Sequence, residues 1–436
     1  MLVHFRVENF RSLRDRAELS LLVPTWAETR GDVTSSIPSH PETRVGTVAA
    51  VFGSNASGKS NLLQALAAIR RAVVASHQRW DPEGGAPHDP FLLDERSLHE
   101  PTMFEVTLVL AEDQFRYGFR LDREGIVSEW LFSYPRNRRR VLFTRDRGRD
   151  PEFQFGKTLT GQTAVIRELT RPNSLFLSVA AANNHSQLSP IFHWFSRHIQ
   201  IVEPDDLPLR VNSTARRMSD ASAGPRVREL LRLADLGIVD ARPIRRGLGE
   251  EPESILKDFL ERMAKSAGIQ GSVDDALERA RLTVELDHET DRATSVAIPF
   301  ARESQGTQSW FALIDPLLHA LETGSVLVAD ELDGSLHPHL SAEVVRMFHD
   351  PQVNKSGAQL VFGSQNPTML GNLLGDPPLR RDEIWITEKD RTGATHLHPL
   401  TDFAPRKAEN IERGYLQGRY GGVPFVDHER LRQAAD

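Results

Sequence analysis

One glycine-rich segment combines residue types and a spacing that can bind phosphate. Four residues separate Gly53 from Gly58, Lys59 and Ser60. Backbone N–H groups of such a loop can surround phosphate oxygens, the Lys59 ammonium can reach the β- and γ-phosphates, and the Ser60 hydroxyl can ligate Mg²⁺. The segment is therefore predicted to bind ATP and Mg²⁺, with Lys59 also catalytic. Its predicted contact residues are Gly53, Ser54, Asn55, Ala56, Ser57, Gly58, Lys59, Ser60 and Asn61.

The flanking residues predict the elements that must position this segment. The apolar run 48–52 precedes it and predicts a buried strand. Apolar residues at helical spacing follow it and predict a helix. Strand, glycine-rich loop and helix in this order form a P-loop, in which the helix N-terminus directs free N–H groups and a positive dipole end at the phosphates. The helical positions are Leu62, Leu63, Ala65, Leu66 and Ile69.

Two adjacent acids supply the second half of a nucleotide site. Asp330 and Glu331 directly follow the apolar run 325–329, which is the Walker B pattern of a buried strand ending in carboxylates. Asp330 is predicted to hold Mg²⁺ together with Ser60. Glu331 is predicted to be the catalytic base that orients and deprotonates the attacking water. The alternative is a buried strand that ends in a solvated Asp-Glu pair.

A polar turn upstream of these acids can bind a second phosphate. Ser304 and Gly306 lie in the segment 303–308, at the start of a predicted helix, and a Ser/Gly turn at a helix N-terminus can accept phosphate. A plain helix cap explains the same residues. Since the chain has one P-loop, the economical explanation is that the turn contacts the γ-phosphate held by a neighbouring subunit, so that a dimer encloses two ATP molecules.

The remaining pattern predicts an α/β protein with a mixed sheet, an antiparallel β-meander and a mostly helical insertion. Alternation over 2–7 and 102–145 indicates a half-buried strand and the meander, whereas 160–281 has apolar residues at helical spacing. The other predicted elements are a loop over 25–44, helices over 58–77, 187–198, 226–236, 253–264, 306–322, 338–349 and 366–374, and strands over 46–52, 282–286, 295–299, 325–330, 358–363 and 383–387.

Length and composition limit the class of protein. The 436 residues suffice for two domains or one with a large insertion, and we expect an N-terminal lobe over 1–160, a helical insertion or lid over 161–281 and a C-terminal lobe over 282–436. The net charge of −7 argues against coating nucleic acid by bulk charge. With no cysteine, no signal-peptide pattern and no apolar run near the ~18 residues of a membrane span, we expect a cytoplasmic protein without a membrane partner.

Several segments together resemble one group of proteins. The chain is similar to the ABC-type AAA ATPases of bacteria, which are relatives of the RecF, SMC and OLD ATPase heads, and to the RloA-like ATPases of phage-defence and restriction-linked modules. The resemblance implies an ABC-type ATPase head in which Ser304 and Gly306 act in trans, Asp333 belongs to the D-loop at the nucleotide and Glu331 is the base. The segments that carry it are 8–12, the P-loop, 303–307, 329–338 and 412–425.

One position departs from that group. After the predicted strand 358–363, where such ATPases usually have a histidine, this chain has Gln365. Glutamine can hydrogen-bond a γ-phosphate oxygen, but it cannot carry charge or relay a proton. We expect Gln365 to act at the catalytic site, hydrolysis to be slow, and the ATP-bound dimer to be long-lived.

Two further segments allow more than one interpretation. Arginines cluster over 136–149, which suits contact with DNA or RNA and equally describes a solvated hairpin beside an edge strand. The tail 412–425, rich in Gly and Tyr, suits docking to a partner as well as packing over the sheet. The clustered arginines are Arg136, Arg138, Arg139, Arg140, Arg145, Arg147 and Arg149.

Three functions compete for this sequence. The first is a sensor or scaffold ATPase of an anti-phage defence or restriction-linked system, with a separately encoded effector such as a nuclease. The second is a RecF-like DNA-repair clamp that binds DNA directly, and the third is a transporter motor, which the absence of an LSGGQ-type segment disfavours. The likeness of the tail and of the Ser304 turn favours the first. No acid cluster of the Toprim type follows Glu331, so we expect no nuclease activity from this chain alone.

Overall fold

The computed structural model describes residues 1–27, 31–37, 40–234, 237–245, 257, 282–290, 294–406 and 408–424. The chain divides into two compact units. The first comprises Met1–Ile201, Ala320–Gly334 and Ser341–Asp436, and the second comprises Val202–His319 and Ser335–Leu340. The helix predicted over 253–264 lies outside the described residues, and the division into three lobes stays a prediction.

Most strands are rich in Val, Ile, Leu and Phe, which favour a pleated and half-buried backbone. In chain order they are β1 (Leu2–Glu8), β2 (Ala17–Ser20), β3 (Leu22–Val23), β4 (Thr34–Ile37), β5 (His40–Gly46), β6 (Val48–Phe52), β7 (Thr102–Leu110), β8 (Asp113–Leu121), β9 (Ile126–Ser133), β10 (Arg140–Asp146), β11 (Phe153–Phe155), β12 (Ile199–Val202), β13 (Ile238–Arg245), β14 (Leu282–Glu289), β15 (Ser295–Pro299), β16 (Val326–Ala329), β17 (Gln359–Ser364), β18 (Ile384–Lys389) and β19 (Thr395–Pro399).

A mixed sheet places the P-loop and the acidic pair at one edge. Its strand order over the described residues is β12-β16-β17-β6-β18-β19. The pairs β16–β17, β17–β6 and β6–β18 are parallel, and β18–β19 is antiparallel. Strands β6 and β17 are buried throughout, as expected where both faces of a parallel sheet are covered. Because the carboxyl ends of parallel strands meet at the same edge, the loop after β6 and the acids after β16 share that edge.

The predicted meander is present and larger than expected. Strands β7 to β11 follow one another in an antiparallel sheet whose full order, within the described chain, is β11-β10-β9-β8-β7-β1-β2. The N-terminal strand β1 thus pairs with β7 as well as with β2. Its buried side chains alternate with half-buried ones from Val3 to Glu8. The α/β class, the mixed sheet and the antiparallel meander are confirmed.

Two smaller sheets occupy segments with weaker sequence signals. One has the order β3-β5-β4 and the other the order β13-β14-β15. Strand β4 and most of β5, in the first of these sheets, lie in the segment 25–44, so the prediction of a loop there is wrong. Strand β4 is Thr-Ser-Ser-Ile and strand β5 includes Pro41 and Glu42. Their polar side chains hide the alternation on which the prediction depended, while the backbone still pairs.

The helices flank these sheets. One prediction is wrong, because 366–374 forms only a 3₁₀ turn, Pro367–Leu370, followed by Gly371 in an extended conformation. No described helix is long and apolar enough to span a membrane. In chain order the helices are α1 (Lys59–Ala75), α2 (Glu95–His99), α3 (Thr163–Leu169), α4 (Phe176–Ala182), α5 (Ser189–Arg197), α6 (Leu207–Ser219), α7 (Gly224–Leu233), α8 (Gln305–Thr323), α9 (Pro338–His349) and α10 (Ile411–Leu416).

Candidate functional site

Lys59 begins helix α1, and its side chain folds back onto the glycine-rich loop. Its Nζ donates to the carbonyl oxygen of Gly53 at 2.7 Å and to that of Ser54 at 2.9 Å. Gly58 precedes the helix with φ 106°, a left-handed conformation that glycine adopts without strain. No side chain caps the helix, so its first N–H groups lack an intrahelical acceptor. The loop thus offers backbone donors and a buried ammonium at one helix N-terminus.

Two threonines from the β18–β19 hairpin support the loop. The Ser57 hydroxyl lies 2.7 Å from that of Thr387, and Thr395 Oγ1 donates to the Ser57 carbonyl at 2.8 Å. A Cβ at Gly53 would overlap Thr387, and one at Gly58 would overlap Thr395. Close packing therefore requires glycine at both positions. Nothing in the sequence marks these threonines, because they lie more than 300 residues from the loop they support.

The N-terminal turn is a second support. The Ser12 hydroxyl accepts from Asn61 Nδ2 at 2.6 Å and lies 2.8 Å from Thr395 Oγ1, and the Ser12 carbonyl accepts from the Thr395 N–H at 2.7 Å. Asn61, predicted to contact the nucleotide, thus uses its amide to hold Ser12. Within the loop itself, Asn55 and Ala56 are exposed and Ser54 and Ser60 are half-buried, so the side of the loop at 54–56 is open to solvent.

The tail packs over the start of the P-loop. The Tyr415 ring meets the Phe52 ring edge-on at 6.1 Å, and its hydroxyl donates to the Gly422 carbonyl at 3.1 Å. A Cβ at Gly422 would lie only 3.3 Å from Cα of Gly53. Burial raises the pKa of Tyr415 to about 12. Of the two interpretations of the tail, packing over the sheet is the one realised for residues 411–422.

The acidic pair lies at the end of β16. Asp330 Oδ1 is buried and has no hydrogen-bond partner among the described residues. Glu331, the next residue, is exposed and has φ 53°, a conformation that costs free energy for a residue with a Cβ. A Cβ at position 363 would lie 3.2 Å from Asp330 Oδ1, so Gly363 leaves room for that carboxylate. The pair therefore combines an unpartnered buried oxygen with a carboxylate that faces solvent.

The acids influence Lys59 through space. Burial lowers the pKa of the Lys59 ammonium, while the negative charges of Asp330, Glu331 and Asp333 oppose that shift. The P-loop lysine and the acids after β16 thus lie near enough to interact electrostatically. A buried cation near carboxylates is stabilised further by any anion that replaces its loop carbonyl partners.

Asp333 and Gln365 lie on adjoining segments. The Asp333 carboxylate accepts from the Ser364 hydroxyl at 2.9 Å and from the Asn366 N–H at 3.0 Å. Gln365, between those two donors, has an exposed side chain. Asp333 thus fixes the backbone that carries Gln365, a role that its sequence position did not reveal. Asp333 is predicted to contact nucleotide, and the structure shows its carboxylate engaged within the chain.

Ser304 and Gly306 begin helix α8, in the second unit. The Ser304 hydroxyl accepts from the Thr307 N–H at 3.1 Å and contacts the Thr307 hydroxyl at 2.9 Å, which is an N-cap. Ser304 and Gln305 are exposed. A Cβ at Gly306 would lie 2.8 Å from the Ser335 carbonyl oxygen, so only glycine fits there without a shift.

Most of the sequence matches a known protein family. Residues 48–370 match the family described as "AAA domain, putative AbiEii toxin, Type IV TA system", and this range contains every predicted site residue. The chain belongs to this AAA-domain family. As a member of it, the protein is an ATP-binding protein of the P-loop ATPase class. No curated protein matches the chain.

Solved structures of SMC heads are similar to this AAA-domain protein at low identity. The SmcHead bound to the C-winged helix domain of ScpA is 12% identical, with a TM-score of 0.38 and coverage of 91% of this chain and 96% of that one. The SMC head domain from Thermotoga maritima is 12% identical, with a TM-score of 0.36 and coverage of 91% and 98%. The Smc head with an extended coiled coil bound to the C-terminal domain of ScpA, derived from Pyrococcus furiosus, is 11% identical, with a TM-score of 0.38 and coverage of 96% and 98%. At such TM-scores the likeness decides nothing about activity.

The residues of the AAA-domain protein fit a Mg²⁺–nucleotide. The uncapped N-terminus of α1 and the Lys59 ammonium suit a phosphate group. The unpartnered Asp330 oxygen is the kind of hard donor that Mg²⁺ takes, directly or through water. Ser60, the second residue of α1, supplies a hydroxyl beside Lys59. Ser60 and Asp330 are thus the candidate Mg²⁺ ligands.

Proposed function

We propose that this chain binds ATP and hydrolyses it slowly, and that two copies close around two ATP molecules. The observation that carries the proposal is the buried Asp330 oxygen without a partner, followed at once by the exposed carboxylate of Glu331. Desolvated polar atoms are normally paired, and an unpartnered carboxylate oxygen near a P-loop lysine is a suitable ligand for a cation. The same arrangement leaves Glu331 free to act on water.

Each residue has a role in this proposal. Lys59 exchanges the carbonyls of Gly53 and Ser54 for phosphate oxygens, which keeps its ammonium hydrogen-bonded throughout. Ser60 and Asp330 hold Mg²⁺, which when bound neutralises charge on the phosphate oxygens. Glu331 takes the proton from the attacking water.

Gln365 supports slow turnover. Its exposed amide can donate one hydrogen bond to a phosphate oxygen, but it brings no positive charge to the charge that develops there. The Asp333 carboxylate holds the backbone on both sides of Gln365. We therefore assign Asp333 a positioning role toward Gln365 in addition to its place in the D-loop.

Ser304 and Gly306 are proposed to complete the site of a second copy. Ser304 is exposed, although its hydroxyl already caps helix α8. A hydroxyl has one donor and two acceptor lone pairs, so Ser304 can accept from Thr307 and still donate to a γ-phosphate. Support for this role comes from the sequence resemblance and from the exposure of the turn.

The biological role follows from the resemblance of the sequence. We propose that the protein is the sensor or scaffold subunit of an anti-phage defence or restriction-linked system and that a separate protein is the effector. The matched family description names a toxin of a toxin–antitoxin system, which is compatible with such a setting. A test is phage plating on cells that carry the gene with its neighbours, where Lys59→Ala should abolish protection and Lys355→Ala should not.

The solution mass of Glu331→Gln protein tests the chemistry. Light scattering without and with Mg-ATP should show a doubling of mass with ATP, because the substitution removes the base and leaves binding intact. Ser304→Arg in the same background should prevent the doubling while ATP still binds. A mass that ATP does not change, with ATP bound, would contradict the two-copy site.

A further inference from the structure

The hairpin between β9 and β10 carries positive charge that no acid of the described residues pairs with. Its exposed arginines make no salt bridge with any residue of the described chain, whose overall net charge is −7. The cluster therefore does not follow from a generally basic composition. We define the arginine hairpin as residues 134–140, and its exposed arginines are Arg136, Arg138, Arg139 and Arg140.

The arginines that follow along the same strand behave differently. Arg145 is buried and pairs with Glu152 at 2.6 Å. Arg147 pairs with Asp122, and Arg149 pairs with Asp146 at 3.1 Å. The arginines clustered in the sequence thus fall into two groups. Arg145, Arg147 and Arg149 have acidic partners, whereas the exposed arginines of the arginine hairpin have none among the described residues. Only the hairpin members retain charge for an external anion.

Aromatic rings organise the guanidinium groups at this end of the sheet. The Arg139 guanidinium lies 4.0 Å from the centroid of the Phe132 ring, and that of Arg116 lies 5.5 Å from the centroid of the Tyr134 ring. Stacking fixes a guanidinium at the ring face while its N–H edges remain able to donate to an anion. The hairpin thereby holds flat, charged donors at low cost in side-chain entropy.

The contacts between these arginines and aromatic rings favour double-stranded over single-stranded nucleic acid as a ligand. Single strands are bound by stacking bases on exposed aromatic faces. Here Phe132 and Tyr134 are half-buried and each has an arginine over its ring. The rings are therefore poor platforms for unpaired bases, and what the surface offers is phosphate contact. That is the sequence-independent way in which proteins hold a duplex backbone.

The neighbouring turn does not cancel the charge. Glu112 lies in the turn between β7 and β8, Asp113 is the first residue of β8, and the N–H of Tyr134 donates to the Gln114 carbonyl beside them at 2.8 Å. Neither acid forms a salt bridge to the arginine hairpin. Arg116, on β8, adds a fifth guanidinium group beside Tyr134.

We propose that the arginine hairpin binds the phosphate backbone of duplex DNA. This surface is separate from the nucleotide site and needs no residue of the P-loop. It gives the ATPase a sequence-independent hold on DNA that is governed by counterion release, so that affinity falls steeply with salt.

Fluorescence anisotropy with a labelled duplex of about 30 base pairs tests this proposal. Binding is measured from about 50 to 200 mM salt, without and with Mg-ATP, for the wild-type protein and for R136A/R138A/R139A/R140A. Each neutralised phosphate contributes about 0.9 to the slope of log affinity against log salt. The variant should therefore lose about 3 to 4 from that slope and at least about tenfold in affinity.

The control is R96A/R123A/R167A/R391A, which removes the same charge from other exposed arginines. It should retain the wild-type slope, and circular dichroism should confirm that both variants are folded. Equal losses in the two variants would assign the binding to net charge and overturn the proposal. So would the absence of duplex binding by wild-type protein at the lowest salt in both nucleotide conditions. Tighter binding of single-stranded DNA or RNA of the same length would overturn the choice of duplex.

Discussion

Two helices of this protein begin at glycine-bearing turns, and they differ in whether a side chain caps their first N–H groups. Helix α1 begins after Gly58 without any side-chain cap, whereas helix α8 begins after Ser304, whose hydroxyl accepts from the Thr307 N–H. An uncapped terminus leaves all of its first N–H groups to an external acceptor, whereas the cap on α8 already occupies one of them. We therefore expect α1 to be the stronger phosphate site and α8 to add a contact.

The largest effect is expected at the uncapped terminus. Lys59→Ala removes an ammonium that no other described lysine replaces, and charged hydrogen bonds contribute about 1.5–3 kcal/mol each. ATP affinity should fall by about 100-fold or more, measured by isothermal titration. Lys355→Ala, an exposed lysine on another loop, should bind ATP normally. Retained affinity in Lys59→Ala would contradict the assignment of the P-loop.

A smaller effect is expected at the capped terminus. Ser304→Ala removes the N-cap and should lower the free energy of unfolding by about 1 kcal/mol, measured by denaturant titration. ATP affinity of the single copy should stay unchanged, because the turn contributes only across a dimer. Ser309→Ala, in the same helix without a capping role, serves as control. A loss of single-copy ATP affinity in Ser304→Ala would show that the two termini do not differ as proposed.

Weakening the contact between the tail and the P-loop should lower stability by as much as Ser304→Ala does, or by less. Tyr415→Phe keeps the ring on Phe52 and removes the hydrogen bond to Gly422, a loss of about 1 kcal/mol in stability. Thermal unfolding should show a modest fall that added ATP partly restores. Tyr134→Phe is the control, because it makes the same change away from the P-loop. Its unfolding temperature should neither fall as in Tyr415→Phe nor show a matching recovery with ATP.

The smallest expected effect is the uptake of protons by Lys59 when ATP binds. Burial lowers the pKa of Lys59, and bound phosphate favours the charged ammonium and raises it again. ATP binding should therefore take up protons in the range between the two pKa values, and affinity should fall as pH rises through that range. Titration calorimetry in two buffers of different ionisation enthalpy, repeated over the alkaline pH range below the ordinary lysine pKa, measures the uptake. No uptake at any pH in that range would contradict the shift.

The comparison also shows what could be predicted from the sequence. The loop between β6 and α1 was predictable because strand, glycines and helix are neighbours in the chain and each element follows from local pattern. The Walker B acids were predictable for the same reason. For Ser304 the sequence allows both a helix cap and a contact with phosphate. The structure shows the cap, because the Ser304 hydroxyl accepts from the Thr307 N–H.

The supports of the site could not be predicted. Thr387 and Thr395 reach the loop only because β18 and β19 join the same sheet, and a threonine in a strand is ordinary on its own. The hydrogen bonds from Ser364 and Asn366 to Asp333 could not be predicted either, because they join residues more than 30 positions apart. The failed helix over 366–374 had helical composition at its start, but Gly371 and the surrounding turns end it after one turn.

Distant parts of the chain meet at the P-loop, and this has a consequence for synthesis. Ser12, Ser57 and Thr395 share one hydrogen-bonded cluster across as many as 383 positions, and Gly422 packs on Gly53. A nascent chain that has not reached Thr395 already carries the whole phosphate motif but lacks the residues that shape it. The loop can take the packed form described here only once the chain through Gly422 has been synthesised, so its shape depends on residues added more than 300 positions after it.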